Sequence, residues 1–176
     1  DVYKRQKYAY ALNDRGSCYR ALGNYDKAIA DYFEASKNDP QAFIFNNLAS
    51  AYRKAGDKDK AIEYYSKAIQ SDANYEIAYN NRGAIYFECE NYDTALNDFE
   101  KAIEINSDYA MALCNRAAIY HLQKHYTRAL ADLEQAVKLQ ANNATALLNR
   151  GITREMLRDV DGACQDWKKA YELGME

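Results

Sequence analysis

Two histidines and one cysteine have a spacing that could hold a metal ion. His121 and His125 are four residues apart, so their imidazoles would share one face of a helix. Cys114 precedes His121 by about two helical turns. A structural zinc site needs four protein ligands, and the sequence offers no fourth one at a fitting spacing. We therefore expect no metal site and no cofactor.

Other patterns that would indicate catalysis are missing as well. The four cysteines, Cys18, Cys89, Cys114 and Cys164, lie 25 to 71 residues apart, so they form no CxxC pair. The sequence contains neither a glycine-rich phosphate loop nor a G-x-S-x-G turn. The chain is predicted not to be an enzyme, and Cys18, Cys89 and Cys164 are expected to be buried, inert thiols. Unpaired cysteines favour a reducing compartment such as the cytoplasm.

The composition argues against two classes of partner. The formal charge is −3, with acidic and basic residues interspersed, whereas binding to a phosphate backbone requires a basic surface. No apolar run approaches the ~18 residues that span a bilayer. We therefore expect no nucleic-acid partner and no membrane partner. One proline and seven glycines among 176 residues favour long helices.

Small residues recur through the chain with a period of 33 or 34 residues. Three series share this period, and every member is alanine or glycine. Such a period is typical of a solenoid that is built from one supersecondary unit per repeat. The series are Gly16, Ala49, Gly83, Ala117 and Gly151; Ala28, Ala61, Ala95, Ala129 and Ala163; and Ala35, Ala68, Ala102, Ala136 and Ala170.

These series resemble the tetratricopeptide-repeat (TPR) family, and the fifth copy resembles the last repeat of bacterial TPR proteins. The resemblance implies an all-α, right-handed superhelical solenoid of five repeats. Each repeat would pair helix A, near positions 1–14, with helix B, near positions 18–31, and the small residues would let the helices approach closely. Residues 1–8 have no helical pattern and are expected to be a leader or a cloning scar. The predicted repeats are 9–41, 42–75, 76–109, 110–143 and 144–176.

Two repeat positions change together. Position 7 is arginine in four copies and leucine in the second, and position 23 is aspartate in the same four copies and tyrosine in the second. The joint change predicts a contact, and arginine with aspartate would form a two-pronged ion pair between helix A and helix B. We interpret these pairs as structural. They are Arg15–Asp31, Arg82–Asp98, Arg116–Asp132 and Arg150–Asp166, with Leu48 and Tyr64 in the second copy.

The resemblance also implies a concave groove along the A helices, lined by positions 2, 5, 6, 9, 12 and 13. Position 6 is asparagine in the last four copies. A carboxamide can both donate and accept, so it can bond a peptide group without reading a side chain. The row is similar to the asparagine ladder of TPR proteins that hold peptide backbones, although these asparagines could instead bond the neighbouring repeat or face water. The candidate groove residues are Asn13, Asn46, Asn47, Ser50, Arg53, Lys54, Asn80, Asn81, Phe87, Asn115, His121 and Asn149.

The predicted function is a non-catalytic scaffold that binds an extended peptide or a segment of a partner protein. Arg20, Arg53 and Lys54 make the first two repeats of the groove basic, whereas Glu88 and Glu155 make the remainder mildly acidic. A partner with an acidic stretch near one end would fit this distribution.

Self-assembly through the ends of the array is the alternative function. A solenoid exposes apolar surface at an end that lacks a cap. Trp167, Tyr171 and Leu173 in the last repeat could dock a second copy and form a homodimer.

Overall fold

The computed structural model describes residues 2–175, and within that range the chain is all-α. Ten helices follow one another there without a strand, which confirms the predicted fold class. Asp1, in the predicted leader, and Glu176, in the fifth repeat, lie outside the described residues. The helices are α1 (Val2–Ala21), α2 (Tyr25–Asn38), α3 (Ala42–Lys54), α4 (Lys58–Ser71), α5 (Glu76–Glu88), α6 (Tyr92–Ile105), α7 (Ala110–Leu122), α8 (Tyr126–Leu139), α9 (Ala144–Met156) and α10 (Val160–Glu172).

The first helix corrects the prediction for the start of the chain. Residues 2–8 are helical and continue directly into the first repeat, so α1 has 20 residues whereas α3 has 13. The segment was expected to lack helical structure because it shows no apolar periodicity. Val2, Tyr3 and Tyr8 are exposed, so no buried face imposes the period on which the prediction relied.

The A helices end in a tight turn that uses the left-handed backbone region. Gly23 and Gly56 have φ of 73° and 90°, a conformation that glycine adopts readily at the end of a helix. The amide of the residue after each glycine donates to a carbonyl five residues earlier: Asn24 to Tyr19, and Asp57 to Tyr52. These bonds satisfy carbonyl groups that have no partner within the helix.

The small residues lie where helices pack. All fifteen members of the three series are buried, and the five alanines that begin with Ala28 are 0% exposed. Without a larger side chain between them, the two backbones of a repeat can approach closely. The packing prediction is confirmed.

The chain divides into two compact units, with the boundary between Glu90 and Asn91. The first unit contains α1 to α5, and its main core cluster includes Tyr32, Leu48 and Tyr65. The second unit contains α6 to α10, and its core includes Leu113, Leu133 and Leu147. In both units each helix packs on the next, and alternate helices also touch: α1 contacts α3, and α7 contacts α9.

In the part of the chain that the structure describes, no helix is both long and apolar enough to cross a membrane.

Candidate binding surfaces on the A helices

The predicted groove positions lie on two surfaces, one in each unit. We call the surface of α1, α3 and α5 the unit 1 face, and that of α7 and α9 the unit 2 face. The unit 1 face is defined by Tyr10, Asp14, Ser17, Arg20, Phe43, Asn47, Ser50, Arg53, Lys54, Ile77, Asn81, Ala84, Phe87 and Glu88. The unit 2 face is defined by Met111, Asn115, Ala118, His121, Leu122, Thr145, Asn149, Ile152, Glu155 and Met156.

On the unit 1 face, asparagines of neighbouring repeats bond one another. The Asn47 Nδ2 group donates to Asn13 Oδ1 at 2.8 Å, and the Asn81 Nδ2 group donates to Asn46 Oδ1 at 3.0 Å. Position 6 of one repeat thus bonds position 5 of the repeat before it, which is one of the two alternatives that the sequence left open. Each donor keeps its second N–H and its carbonyl oxygen.

The acceptor residues of this network are buried, whereas the donors reach the surface. Asn13 and Asn46 are buried, and Asn80, at the same repeat position, is 1% exposed. Asn47, Asn81 and Asn149 are half-buried. Position 6, rather than position 5, is therefore the one whose amide reaches solvent.

Asn149 differs from the other members of the row. The residue at position 5 of the preceding repeat is Cys114, which offers no amide oxygen. The Asn149 side chain has no hydrogen-bond partner among residues 2–175. Its whole carboxamide is therefore available to a ligand, while Asn115, which also belongs to the predicted row, is half-buried.

Charge on the unit 1 face is distributed differently from the prediction. Glu88 forms ion pairs with Arg53 and with Lys58, the latter at 3.0 Å. Partial burial opposes ionisation of Glu88, but the hydrogen bonds from the two cations outweigh it and hold the pKa of Glu88 below its ordinary value. Arg53, predicted to make the groove basic, is therefore neutralised. Short-range spacing in the sequence could not reveal this ion pair, because Arg53 on α3 and Glu88 on α5 lie 35 residues apart.

Two cations on the unit 1 face keep their charge uncompensated. Arg20 donates through Nη1 to Ser50 Oγ at 3.1 Å. Arg20 forms no ion pair with any described residue, and neither does the exposed Lys54. The positive charge that remains on this face thus lies on these two residues, and Asp14 is its remaining carboxylate.

The unit 2 face is mainly apolar. Met111, Leu122, Ile152 and Met156 are exposed there. His121 joins α7 to α9 through a 3.3 Å contact between its Nδ1 and Thr153 Oγ1. This face offers contact area together with one unpartnered carboxamide, whereas the unit 1 face offers amides and charge.

Three of the four predicted ion pairs between helix A and helix B are confirmed. Arg15 Nε and Nη2 lie 2.7 Å from the two oxygens of Asp31, and the same two-pronged geometry joins Arg116 to Asp132 and Arg150 to Asp166. The hydrogen bonds that the guanidinium groups donate to the carboxylates raise the pKa of all three arginines. In the second repeat, Leu48 and Tyr64 fill the same place within one core cluster.

The fourth pair, Arg82 with Asp98, stays a prediction, because its two residues belong to different units. Within the first unit, Arg82 Nη1 donates to Ser66 Oγ at 2.9 Å.

The fifth repeat carries a second arginine that sequence reasoning missed. Arg154 replaces the tyrosine found at position 11 of the other repeats, and its Nη1 lies 2.9 Å from Asp166 Oδ2. Asp166 thus bonds both Arg150 and Arg154. The only available signal was the replacement of an aromatic residue by a cation, twelve residues before the acidic partner. We assign this cluster a structural role, since Asp166 is buried.

The thiol prediction is wrong for three cysteines. Cys18, Cys89 and Cys164 are exposed, and only Cys114 is half-buried. Cys18 and Cys164 are exposed helix residues, and Cys89 lies in the turn after α5, so none of the three positions requires a small buried side chain. Among residues 2–175, no group of three or more potential ligands is placed to hold a metal ion.

Residues at the C-terminal end of the chain have unequal exposure. Trp167 packs against Gly151 of the same repeat, where an added Cβ would clash with the indole ring. Trp167 is half-buried, and its docking role stays a prediction. Tyr171 and Leu173 are exposed.

Comparisons with known proteins agree with this architecture. Family models described as "Tetratricopeptide repeat" match residues 9–41, 42–75 and 77–109, residues 99–131, and residues 122–175. No curated protein sequence matches the chain.

Several solved structures are similar to the chain. A crystal structure of MamA has a TM-score of 0.75 and 26% identity, over 90% of this chain and 93% of that one. PilF of Pseudomonas aeruginosa has a TM-score of 0.90 and 22% identity, over 98% and 79%. The APC/C hetero-tetramer Cut9–Hcn1 has a TM-score of 0.81 and 19% identity, over 95% of this chain and 33% of that one. The last two likenesses concern the fold alone.

Proposed function

The chain belongs to the tetratricopeptide-repeat family, and from this premise we propose that its A-helix faces bind an extended segment of a partner protein. The family fold supports protein–protein interaction in general, and its members are typically non-catalytic. The mode proposed for each face is recognition of backbone groups by its position-6 asparagines, and on the unit 2 face the exposed apolar residues add contact area.

The unused hydrogen-bonding capacity of the asparagines carries this proposal. Asn47 and Asn81 are held by the preceding repeat, yet each retains a carbonyl oxygen and one N–H. A pre-positioned amide loses little side-chain entropy when it binds, which favours affinity. An extended segment needs partners for its own N–H and C=O groups, and these amides supply both kinds.

The test uses short random peptides displayed on phage and selected on the intact chain. The affinity of each selected peptide is then measured for Asn47→Ala/Asn149→Ala, with one change on each face. A peptide that bonds the asparagine of either face should bind this variant about fivefold more weakly, at roughly 1 kcal/mol for the lost bond. Circular dichroism verifies that the helical content is retained.

The matched control is Asn74→Ala/Asn142→Ala. Both asparagines are exposed in loops, one in each unit. Peptides should bind this variant as tightly as the wild type. Equal affinity for the wild type and both variants would show that the peptides bind elsewhere, and the proposed function would fail.

Self-assembly through the last helix is the second candidate, and the exposure of Tyr171 favours it. Tyr171 is 75% exposed, whereas Val137, at the same position of the fourth repeat, is 8% exposed and packs with residues of α9. A second copy could cover the surface of α10 as α9 covers that of α8. Leu173 extends this surface.

Sedimentation equilibrium over a concentration series separates this candidate from peptide binding. Tyr171→Ser/Leu173→Ser should abolish dimers if α10 is the interface, whereas Leu22→Ser, an exposed apolar residue in the other unit, should not. A chain that stays monomeric at every concentration excludes the candidate.

A further inference from the structure

A small cavity beside the unit 1 face brings together donors that have no acidic partner. It has a volume of about 210 Å³ and is lined by residues of three helices. Ser17, Arg20 and Ala21 come from α1, Tyr25 from α2, and Lys54 from α3. The first two repeats therefore build it jointly.

The polar groups of this cavity differ in how many further hydrogen bonds they can form. Ser17 Oγ already bonds Asn13 O and the Tyr32 hydroxyl. In contrast, the Tyr25 hydroxyl has no hydrogen-bond partner among residues 2–175. Arg20 uses one N–H on Ser50 and retains the others.

The carboxylates of the surrounding helices do not neutralise the two cations. Glu88 is paired with Arg53 and Lys58, and Asp57 with Lys60. Asp14 on α1 and Asp26 on α2 form no ion pair with Arg20 or Lys54. Two adjacent uncompensated cations disfavour each other, and an anion between them relieves that repulsion.

We infer that this cavity receives a carboxylate side chain, aspartate or glutamate, of the segment that binds the unit 1 face. The inference rests on the proposed function, because the carboxylate arrives on the bound segment. Arg20 and Lys54 supply charge, and the Tyr25 hydroxyl supplies a third donor. The planar guanidinium suits a carboxylate because two of its N–H groups can bond both oxygens.

Peptide selection tests the inference directly. Random peptides displayed on phage are selected in parallel on the wild type, on Arg20→Gln/Lys54→Gln and on Lys168→Gln/Lys169→Gln. The last variant removes the same charge from exposed residues of α10. Acidic residues should be enriched at one peptide position on the wild type and on the α10 variant, and the enrichment should vanish on the cavity variant.

Calorimetry then measures one selected peptide and its version with Glu replaced by Gln. The replacement should weaken binding to the wild type by about fivefold, as expected for partly exposed charge pairs. It should not change binding to the cavity variant Arg20→Gln/Lys54→Gln. Lys54→Gln alone should weaken binding of the acidic peptide by an intermediate factor. Because Lys54 is exposed, this substitution excludes a folding defect as the cause.

The outcomes separate the two proposals. Selected peptides that depend on Asn47 and Asn149 but show no acidic enrichment would overturn the carboxylate site and leave the binding function intact. Peptides that depend on neither the asparagines nor the two cations would overturn both.

Discussion

At the scale of single residues, the coupled change at positions 7 and 23 describes two solutions to one packing problem. Four repeats place arginine and aspartate there, and the second repeat places Leu48 and Tyr64, which are both buried. A buried carboxylate that loses its partner is costly, while an apolar pair of similar volume can be equally stable. The two combinations should therefore be exchangeable only as pairs.

The exchange can be made in the fourth repeat. Arg116→Leu alone leaves Asp132 unpaired, with 8% of its side chain exposed, and should lower the free energy of unfolding by about 2–3 kcal/mol. This estimate lies below that for fully buried pairs, because Arg116 is 21% exposed. Arg116→Leu/Asp132→Tyr, which copies the second repeat, should recover stability to within about 1 kcal/mol of the wild type.

Urea unfolding followed by circular dichroism measures both variants. Lys37→Ala, which breaks the exposed pair with Glu34, is the control and should change stability by less than about 0.5 kcal/mol. A double variant no more stable than Arg116→Leu would contradict the explanation of the coupled change.

Thiol reactivity gives a second prediction at this scale. Burial, together with the nearby Asp132 carboxylate, raises the pKa of the Cys114 thiol to about 11. Alkylation requires the thiolate, and a raised pKa reduces its fraction at any pH below about 11. Near pH 8, an ordinary thiol with a pKa of about 8.5 is partly ionised, so the exposed Cys18, Cys89 and Cys164 should react first.

Mass spectrometry of tryptic peptides after iodoacetamide treatment measures the four rates. Cys114 should react the slowest, and in urea the four rates should converge. Equal rates in the folded protein would show that the Cys114 thiol is not shielded from the reagent and that its pKa is not raised.

At the scale of helices and turns, the A helices end alike although their residues differ. Gly23 and Gly56 adopt positive φ in the first two repeats, and Glu90, Lys124 and Arg158 do so in the last three, with φ of 60° to 67°. The turn geometry is common to the five repeats, and an L residue with a Cβ tolerates it at a cost of about 1 kcal/mol. These three residues carry strain that glycine would remove.

Lys124→Gly should therefore raise the stability of the chain by about 0.5–1 kcal/mol. The reciprocal change, Gly23→Ala, introduces a Cβ at φ of 73° and should lower stability by a similar amount, although nothing within 4 Å would clash with that Cβ. Urea midpoints measure both. A loss of stability in Lys124→Gly would mean that the freedom glycine adds to the unfolded chain outweighs the strain.

The helices themselves were predictable from the sequence, whereas their details were not. The 34-residue period places helix boundaries to within two residues, because the alanine series beginning with Ala28 must face neighbouring helices. The period carries no information about non-glycine turns such as that at Lys124, since tertiary packing imposes their conformation. It also missed the helix at residues 2–8, which lacks a buried face.

The candidate surfaces were predictable in position but not in chemistry. Asn47 and Asn81 stand where the family pattern places them, but their bonds to Asn13 and Asn46 join repeats, so one repeat viewed alone does not reveal them. The ion pair between Arg53 and Glu88 also joins two repeats. Short-range spacing in the sequence reveals contacts within a repeat, whereas contacts between repeats become visible only when the packing of the helices is known.

At the scale of the whole molecule, the two units present different chemistry to a partner. The unit 1 face carries oriented amides and the cations Arg20 and Lys54, and the unit 2 face carries Met111, Ile152 and the free amide of Asn149. Affinity from apolar contact is insensitive to salt, while attraction to the cations is screened over a Debye length of about 10 Å at 0.1 M ionic strength. Raising the ionic strength should therefore weaken the binding of acidic peptides more than the binding of apolar ones.

Side-chain amide resonances test the central claim most directly. The chain is labelled with ¹⁵N and titrated with a peptide selected on the wild type, and the NH₂ signals of asparagine are followed. The account predicts saturable shifts at Asn47, Asn81 or Asn149, with no change at the loop residues Asn74 and Asn142. Shifts confined to the loop residues Asn74 and Asn142, with the asparagines of both A-helix faces unaffected, would contradict it.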